Sequence, residues 1–282
     1  MVVKSKSNNT NKTMINTRPF LKWAGNKYRI IDRVRAALPE GKCLIEPFAG
    51  SGAVFLNTNY ERYIINDNNP DLIHLYNILK KDGPVFIKKC RYYFSSRFNS
   101  EEQYYKLRKK FNESSDTYKR AILFVYLNRH GYNGLCRYNQ QGGFNVPFGR
   151  YKQPYFPEQE MQNFHRQSQK ARFTNECFLT AMKKARRGDV VYCDPPYVPL
   201  TKTANFTSYS AGGFSETEQL ALAEQAEKLA ARGVTVVISN HDTPFTQHVY
   251  RNAECTTFPV RRTISCNAKR RGHAGEVLAL FN

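Results

Sequence analysis

The sequence predicts an α/β protein: a doubly wound, largely parallel sheet interrupted by a mostly helical insertion. Three observations predict it. An apolar stretch, Lys42 to Glu46, runs into a glycine turn and then a second apolar stretch, Arg62 to Asn66, which is how such sheets begin. Between 70 and 128 the spacing of apolar residues becomes helical. From Arg172 onward, strand and helix patterns alternate again.

The first strand leads into Pro47-Phe48-Ala49-Gly50-Ser51-Gly52 and a short apolar helix, and the second strand ends at Asp67. Helical patterns cover Pro70 to Lys80, Pro84 to Tyr93, Glu101 to Phe111 and Asp116 to Asn128, and a polar, Gly-rich stretch then reaches Pro157. Short strands are expected at Arg172 to Thr174 and Asp189 to Cys193. A helix from Glu216 to Ala231 opens on a capping box, Ser215 with Glu218, and stops at Gly233. Val234 to Ser239 is rich in β-branched residues and suits a central parallel strand, and Glu276 to Phe281 a last one. The expected division is a basic tail at 1–17, a sheet domain formed by 18–69 and 158–282, and an inserted domain at 70–157.

With 282 residues and 41% hydrophobic content, the chain can bury a sizeable core. Its charge is less ordinary: 43 Lys and Arg against 23 Asp and Glu give +20, which favours a polyanionic partner, nucleic acid first. The seven cysteines form no CxxC pair and the six histidines no HExxH, so neither a disulfide framework nor a zinc site is expected. No apolar run approaches membrane-spanning length, and a reducing cytoplasm is the expected location.

Two motifs carry chemistry. Gly50-Ser51-Gly52 after a strand lets backbone approach a ligand closely, and Asp67 at the next strand end can accept hydrogen bonds from ribose hydroxyls. There is no GxGxxG, so a single adenosine-type cofactor fits better than a dinucleotide. Asp194-Pro195-Pro196-Tyr197 follows an apolar strand, where open α/β sheets bind ligands. An exocyclic base amine is a poor nucleophile because its lone pair is delocalised. The Asp194 carboxylate and the Pro195 carbonyl can each accept one of its N–H bonds and aim the lone pair at a methyl donor, while Tyr197 offers a face for an extruded base.

Thr117 to Pro157 holds six basic residues, ten Tyr or Phe, and no acid. Phe124, Tyr126 and Tyr118 fit a helix core. Arg129, Tyr132, Asn133, Arg137, Asn139, Arg150 and Tyr151 suit DNA, because Arg and Asn read base edges and aromatics wedge between bases. Of two further basic clusters, Lys183-Lys184 with Arg186-Arg187 reads as solvated surface, and Lys269-Arg270-Arg271 as a phosphate contact.

With these pieces placed, the chain from about residue 18 resembles the DNA adenine methylase family of N6-adenine methyltransferases. The matching blocks are Phe20-Leu-Lys-Trp-Ala-Gly-Asn-Lys27, Glu46-Pro-Phe-Ala-Gly-Ser-Gly52, Asn66-Asp67, Tyr126 to Asn139, Phe144 to Tyr151, Asp194-Pro-Pro-Tyr197 and Ile238-Ser-Asn-His-Asp242, in the family's order. The resemblance implies a Rossmann-like S-adenosylmethionine-dependent methyltransferase sheet, an inserted DNA-recognition domain and methylation of adenine in GATC within double-stranded DNA. It implies cofactor contacts from Trp23, Lys27, Glu46, Phe48, Gly50, Gly52, Asp67 and Asp194. Tyr132 resembles the residue inserted into the base stack, Leu135, Arg137 and Pro147 resemble base readers, and Lys22 a contact to the outer guanine. Arg129, Asn133, Asn139, Arg150 and Tyr151 then contact phosphates or adjacent bases. No metal and no obligate protein partner is implied; a monomer is expected. Asn26 departs from the pattern, standing where the family usually has glycine, so the loop holding Trp23 and Lys27 is expected to tighten or turn.

An RNA or protein-glutamine methyltransferase would typically begin the tetrapeptide with Asn, and a cytosine-N4 enzyme with Ser. A DNA-binding module without catalysis would not need Trp23, Lys27, Asp67 and Asp194 together.

Overall fold

The computed structural model describes residues 16–198, 214–261 and 273–282. Most of the basic tail and the Lys269-Arg270-Arg271 cluster therefore lie outside the described residues. Along the chain run α1 (Ile31–Ala37), β1 (Cys43–Glu46), β2 (Arg62–Asn66), α2 (Pro70–Arg91), α3 (Glu101–Glu113), α4 (Thr117–His130), α5 (Glu158–Ser168), β3 (Ala171–Thr174), α6 (Phe178–Met182), β4 (Val190–Cys193), α7 (Glu216–Ala230), β5 (Thr235–His241), α8 (Pro244–Val249), β6 (Glu254–Arg261) and β7 (His273–Phe281).

The seven strands form one sheet in the order β3-β2-β1-β4-β5-β7-β6. The first five are parallel, and β7 runs antiparallel to both β5 and β6. This is the Rossmann-like sheet that the resemblance implies. Its winding direction changes between β1 and β4, so a crevice opens at the carboxyl ends of those two strands.

Side chains alternate across the pleat and divide the core in two. Leu44, Tyr63, Ile65, Val190, Tyr192 and Val237 face one layer, with α2, α4 and α5. Cys43, Ile45, Val191, Cys193, Val236 and Ile238 face the other, with α7 and α8. The first layer continues without a break into Phe111, Phe124, Phe144 and Val146 of the inserted segment, so the insertion and the sheet share buried apolar contacts.

Two local features differ from the sequence reading. The expected pair of helices around Gly83 is one element, α2, bent at Gly83 where φ is +22°. A β-carbon there would lie 2.6 Å from the His165 ring of α5, so the bend brings the two helices together where only glycine fits. After the glycine turn, the expected short helix is a single 3-10 turn, Phe55–Asn57. The sequence reading did not include α1, α5, α6, α8 or β6. Each is short or mostly polar: α5 buries only Met161, Phe164 and Ser168, and β6 is an edge strand containing Pro259.

Candidate active site and nucleic-acid interface

The glycine turn follows β1, Asp67 follows β2 and the tetrapeptide follows β4, so one edge of the sheet gathers all three. Gly50 and Gly52 both have positive φ, +48° and +71°, a conformation that disfavours any side chain. Asp67 closes this turn: its Oδ2 accepts from the Gly50 N–H at 2.9 Å and its Oδ1 from the Asn69 N–H at 2.9 Å. Trp23 packs so closely on Gly50 that a β-carbon there would come within 2.9 Å of the indole nitrogen. Phe48 stacks on Phe178, with ring centroids 5.3 Å apart, and Phe214 meets both rings edge-on.

Asn26 explains the departure noted above. Its backbone is at φ −58°, which needs no glycine; its side-chain Nδ2 donates to the Trp23 carbonyl at 2.8 Å and its Oδ1 accepts from the Tyr28 N–H. The loop is thus tied shut between Trp23 and the turn that carries Lys27.

Lys27 is buried. It donates to the Gly25 carbonyl at 2.8 Å, pairs with Asp194 Oδ1 at 2.7 Å, and lies 4.5 Å from the Tyr197 ring centre. Burial pulls its pKa down, but Asp194, Tyr192 and Glu276 outweigh that and the net shift is upward, so the ammonium stays charged. Burial lifts the Asp194 carboxyl above its usual range, while Lys27 and Ser239 oppose the rise. Ser239 Oγ donates to Asp194 Oδ1 at 3.1 Å and accepts from the Tyr192 hydroxyl at 3.1 Å. Both donors therefore converge on Oδ1. Oδ2 has no protein partner among the described residues.

The rest of the tetrapeptide is held from behind. Gln219 donates to the Pro196 carbonyl at 2.9 Å and accepts from Asn240 Nδ2 at 3.0 Å. Asn240 Oδ1 accepts from the Val198 N–H at 3.2 Å, and its Nδ2 also donates to the Tyr250 hydroxyl at 3.0 Å. Pro195 is buried, and the Tyr197 hydroxyl donates to Glu276 on β7 at 3.3 Å. Glu46 at the end of β1 is buried, with one oxygen lacking a partner among the described residues; burial and then repulsion from Asp194 push its pKa well up. Ser51 Oγ is likewise buried without a partner.

The expected DNA-binding stretch is an irregular hairpin. Bridges join Gly131 to Phe148 and Tyr138 to Phe144, and the Tyr132 N–H donates to the Pro147 carbonyl at 2.8 Å. Cys136, Phe144 and Val146 point inward, giving it the apolar face that its composition conceals. From α3, Tyr104 and Arg108 both donate to the Val146 carbonyl, and Asn112 both donates to and accepts from Phe144 backbone. Asp71 at the start of α2 receives both arms of Arg120 at 2.7 Å and the Tyr138 hydroxyl at 2.8 Å.

Tyr132, Asn133, Arg137, Asn139, Pro147 and Arg150 are exposed on this hairpin; Leu135, Tyr151 and Lys22 are half-buried. Arg137 is braced by Asn145, which accepts from its Nε at 2.8 Å, and Asn139 Oδ1 shapes the tip by accepting from the Gln141 and Gly143 N–H groups. Asn133 and Arg150 have positive φ, +53° and +52°. Arg129 is placed differently from the other expected readers. It is buried in the last turn of α4 and donates to the Phe20 carbonyl, so it braces the protein from inside and does not share their exposed face. Its Nε is buried without a partner among the described residues.

Residues 23–264 match the family model described as D12 class N6 adenine-specific DNA methyltransferase. The chain belongs to that family. A DNA adenine methylase from Serratia marcescens is 52% identical, over 95% of this chain and 100% of its own length. One from Escherichia coli K12 is 51% identical over 95% of this chain and 96% of its own, and one from Vibrio cholerae is 50% identical over 94% and 96%. In this D12-class methyltransferase, the residues missed by sequence reasoning are those that position others: Ser239, Gln219, Asn240 and Glu276. Ser239 and Asn240 lie in a block that marked the family without any role attached, and nothing in the local pattern of Gln219 or Glu276 signals one. No helix among the described residues is long and apolar enough to cross a membrane.

Proposed function

We propose that the protein transfers a methyl group from S-adenosylmethionine to N6 of adenine in double-stranded DNA, within GATC, with the adenine extruded from the helix. The observation that carries this is the Asp194 carboxylate: Oδ1 is held by Lys27 and Ser239, while Oδ2 has no protein partner among the described residues.

The residues present fit the cofactor. The positive-φ glycine turn gives close backbone approach, and Asp67 is fixed there by two backbone N–H groups with lone pairs to spare for ribose hydroxyls. The unpartnered polar atoms of Glu46 and Ser51 lie at the same strand end, where a polar ligand would satisfy them. When bound, S-adenosylmethionine supplies an electrophilic methyl group on a sulfonium centre.

The chain's own residues must align the amine. Asp194 Oδ2 and the Pro195 carbonyl accept its two N–H bonds, which turns the nitrogen lone pair toward the donor side. Lys27 and Ser239 keep the carboxylate from rotating away. Tyr197, with its hydroxyl on Glu276, presents a ring for the extruded base. In the 70–157 segment, assigned here to target recognition, Tyr132 would fill the vacated space while Leu135, Arg137 and Pro147, joined by Lys22 from the N-terminal part of the chain, read base edges. Asn133, Asn139, Arg150 and Tyr151 supply flanking contacts.

The test is incubation with labelled S-adenosylmethionine and duplexes with or without GATC. Label on adenine of the GATC duplex alone is expected; transfer to RNA only, or to no nucleic acid, would overturn the reading.

A further inference from the structure

We propose that Asn128 is a specificity-positioning residue, which locks Lys22 to the recognition hairpin and thereby ties base reading to the Trp23 loop. Its buried carboxamide bonds a segment 106 residues away and the nearby floor of the hairpin. Oδ1 accepts from the Lys22 N–H at 2.9 Å; Nδ2 donates to the Lys22 carbonyl at 2.7 Å and the Gly134 carbonyl at 3.2 Å. One side chain thus fixes both backbone groups of Lys22 and the floor of the hairpin.

The hairpin closes on Lys22 from the other side too. Gly134, at φ +62°, approaches so closely that a β-carbon would lie 2.3 Å from the Lys22 side chain. The Lys22 ammonium sits 4.2 Å from the centre of the Tyr151 ring, and the Tyr151 hydroxyl accepts from the Asn133 N–H at 3.0 Å. Arg129, next to Asn128, holds the Phe20 carbonyl, so the end of α4 grips the segment twice. One residue beyond Lys22, Trp23 lies on Gly50; four residues on, Lys27 pairs with Asp194. A displacement of Lys22 by a bound base pair has a short route to the donor-binding turn, along the backbone to Trp23 and through its packing on Gly50, and Asn128 is its anchor.

The inference rests on the reading of Lys22 as a base contact, and the experiment separates the two. Trp23 is the chain's single tryptophan, so its emission reports on the donor-side loop alone. Adding a GATC duplex to the wild-type protein without donor is expected to change that emission, and a duplex altered at the outer base pair to change it less. Methylation rates are then compared on duplexes altered at the outer base pair or at the pair read by Arg137, for Asn128→Ala, Asn128→Asp and Lys22→Ala, with thermal unfolding as the folding control. Both Asn128 variants and Lys22→Ala are expected to lose about tenfold or more in discrimination at the outer pair. Discrimination at the Arg137 pair should persist. If Lys22→Ala loses it and the Asn128 variants do not, or if they lose both discriminations equally, the positioning role falls while the reading of Lys22 stands. If Lys22→Ala loses nothing, both fall. A wild-type Trp23 emission unmoved by any duplex overturns the coupling without needing a variant.

Discussion

The tetrapeptide and the hairpin proposed to read DNA are held in opposite ways. At the tetrapeptide, buried side chains hold one another: Tyr192 to Ser239 to Asp194, and Tyr250 to Asn240 to Gln219 to Pro196. At the hairpin, side chains of α3 hold backbone carbonyls, and Arg137 and Pro147, two of the residues expected to read bases, stand exposed. The difference follows from what each region meets. A reacting amine needs acceptors within a fraction of an ångström of one geometry, whereas a DNA surface supplies order to exposed side chains as it binds.

The largest effect should come from the catalytic side. Asp194→Ala should lower single-turnover transfer by about three orders of magnitude or more, with duplex affinity nearly unchanged. Retained turnover would remove Asp194 from its role. Asn240→Ala comes next, because it strips the Val198 N–H, Gln219 and the Tyr250 hydroxyl of a buried partner. A stability loss of about 2–3 kcal/mol is expected in chemical denaturation, with kcat falling further than duplex affinity. If both fell together, the two regions would not be as separately built as the hydrogen bonds suggest.

On the hairpin, Arg137→Ala should cost about 1–3 kcal/mol of discrimination at one base pair while leaving the unfolding midpoint in place. Uniform weakening on every sequence would assign Arg137 to a phosphate. The smallest effect is conditional on pH. Beneath the hairpin, His130 stacks on Tyr126 at 4.0 Å, and burial lowers its pKa from 6.5 to about 4. Below pH 6.5 the unfolded chain takes up a proton that the folded chain refuses until about pH 4, so stability falls as pH falls through that window. At about pH 5.5 the loss should be about 1.4 kcal/mol, and His130→Phe should flatten it in acid denaturation.

Much of this was legible where chemistry and position coincide in the chain. Asp194 and Asp67 sit directly after apolar strands and Gly50 in the turn that follows one, so a local pattern places them at the sheet's carboxyl edge. Lys27 was legible only through family resemblance, because nothing local says that it reaches Asp194. Ser239, Gln219 and Glu276 act across long stretches of chain, and hydrogen bonds between distant segments leave no periodic mark. Arg129 shows the converse: an arginine in an acid-free, aromatic stretch invites a DNA role, yet α4 continues two residues past Asn128 and turns this side chain inward. Asn128 itself has the pattern of a helix end, and its bonds to Lys22 and Gly134 exist only in the folded chain.

The strand order also bears on how the chain folds. β1 lies beside β4, yet β2, the whole 70–157 segment and β3 separate them in the chain. The helices of that segment can form from near neighbours early, while the pairing that creates the active-site crevice must wait for the ends of a very long loop to meet. Until then β1 and β2, both largely apolar, have unpaired edges. Refolding should therefore show helical signal well before methyl transfer returns, and the interval between them is when the chain is most exposed to aggregation.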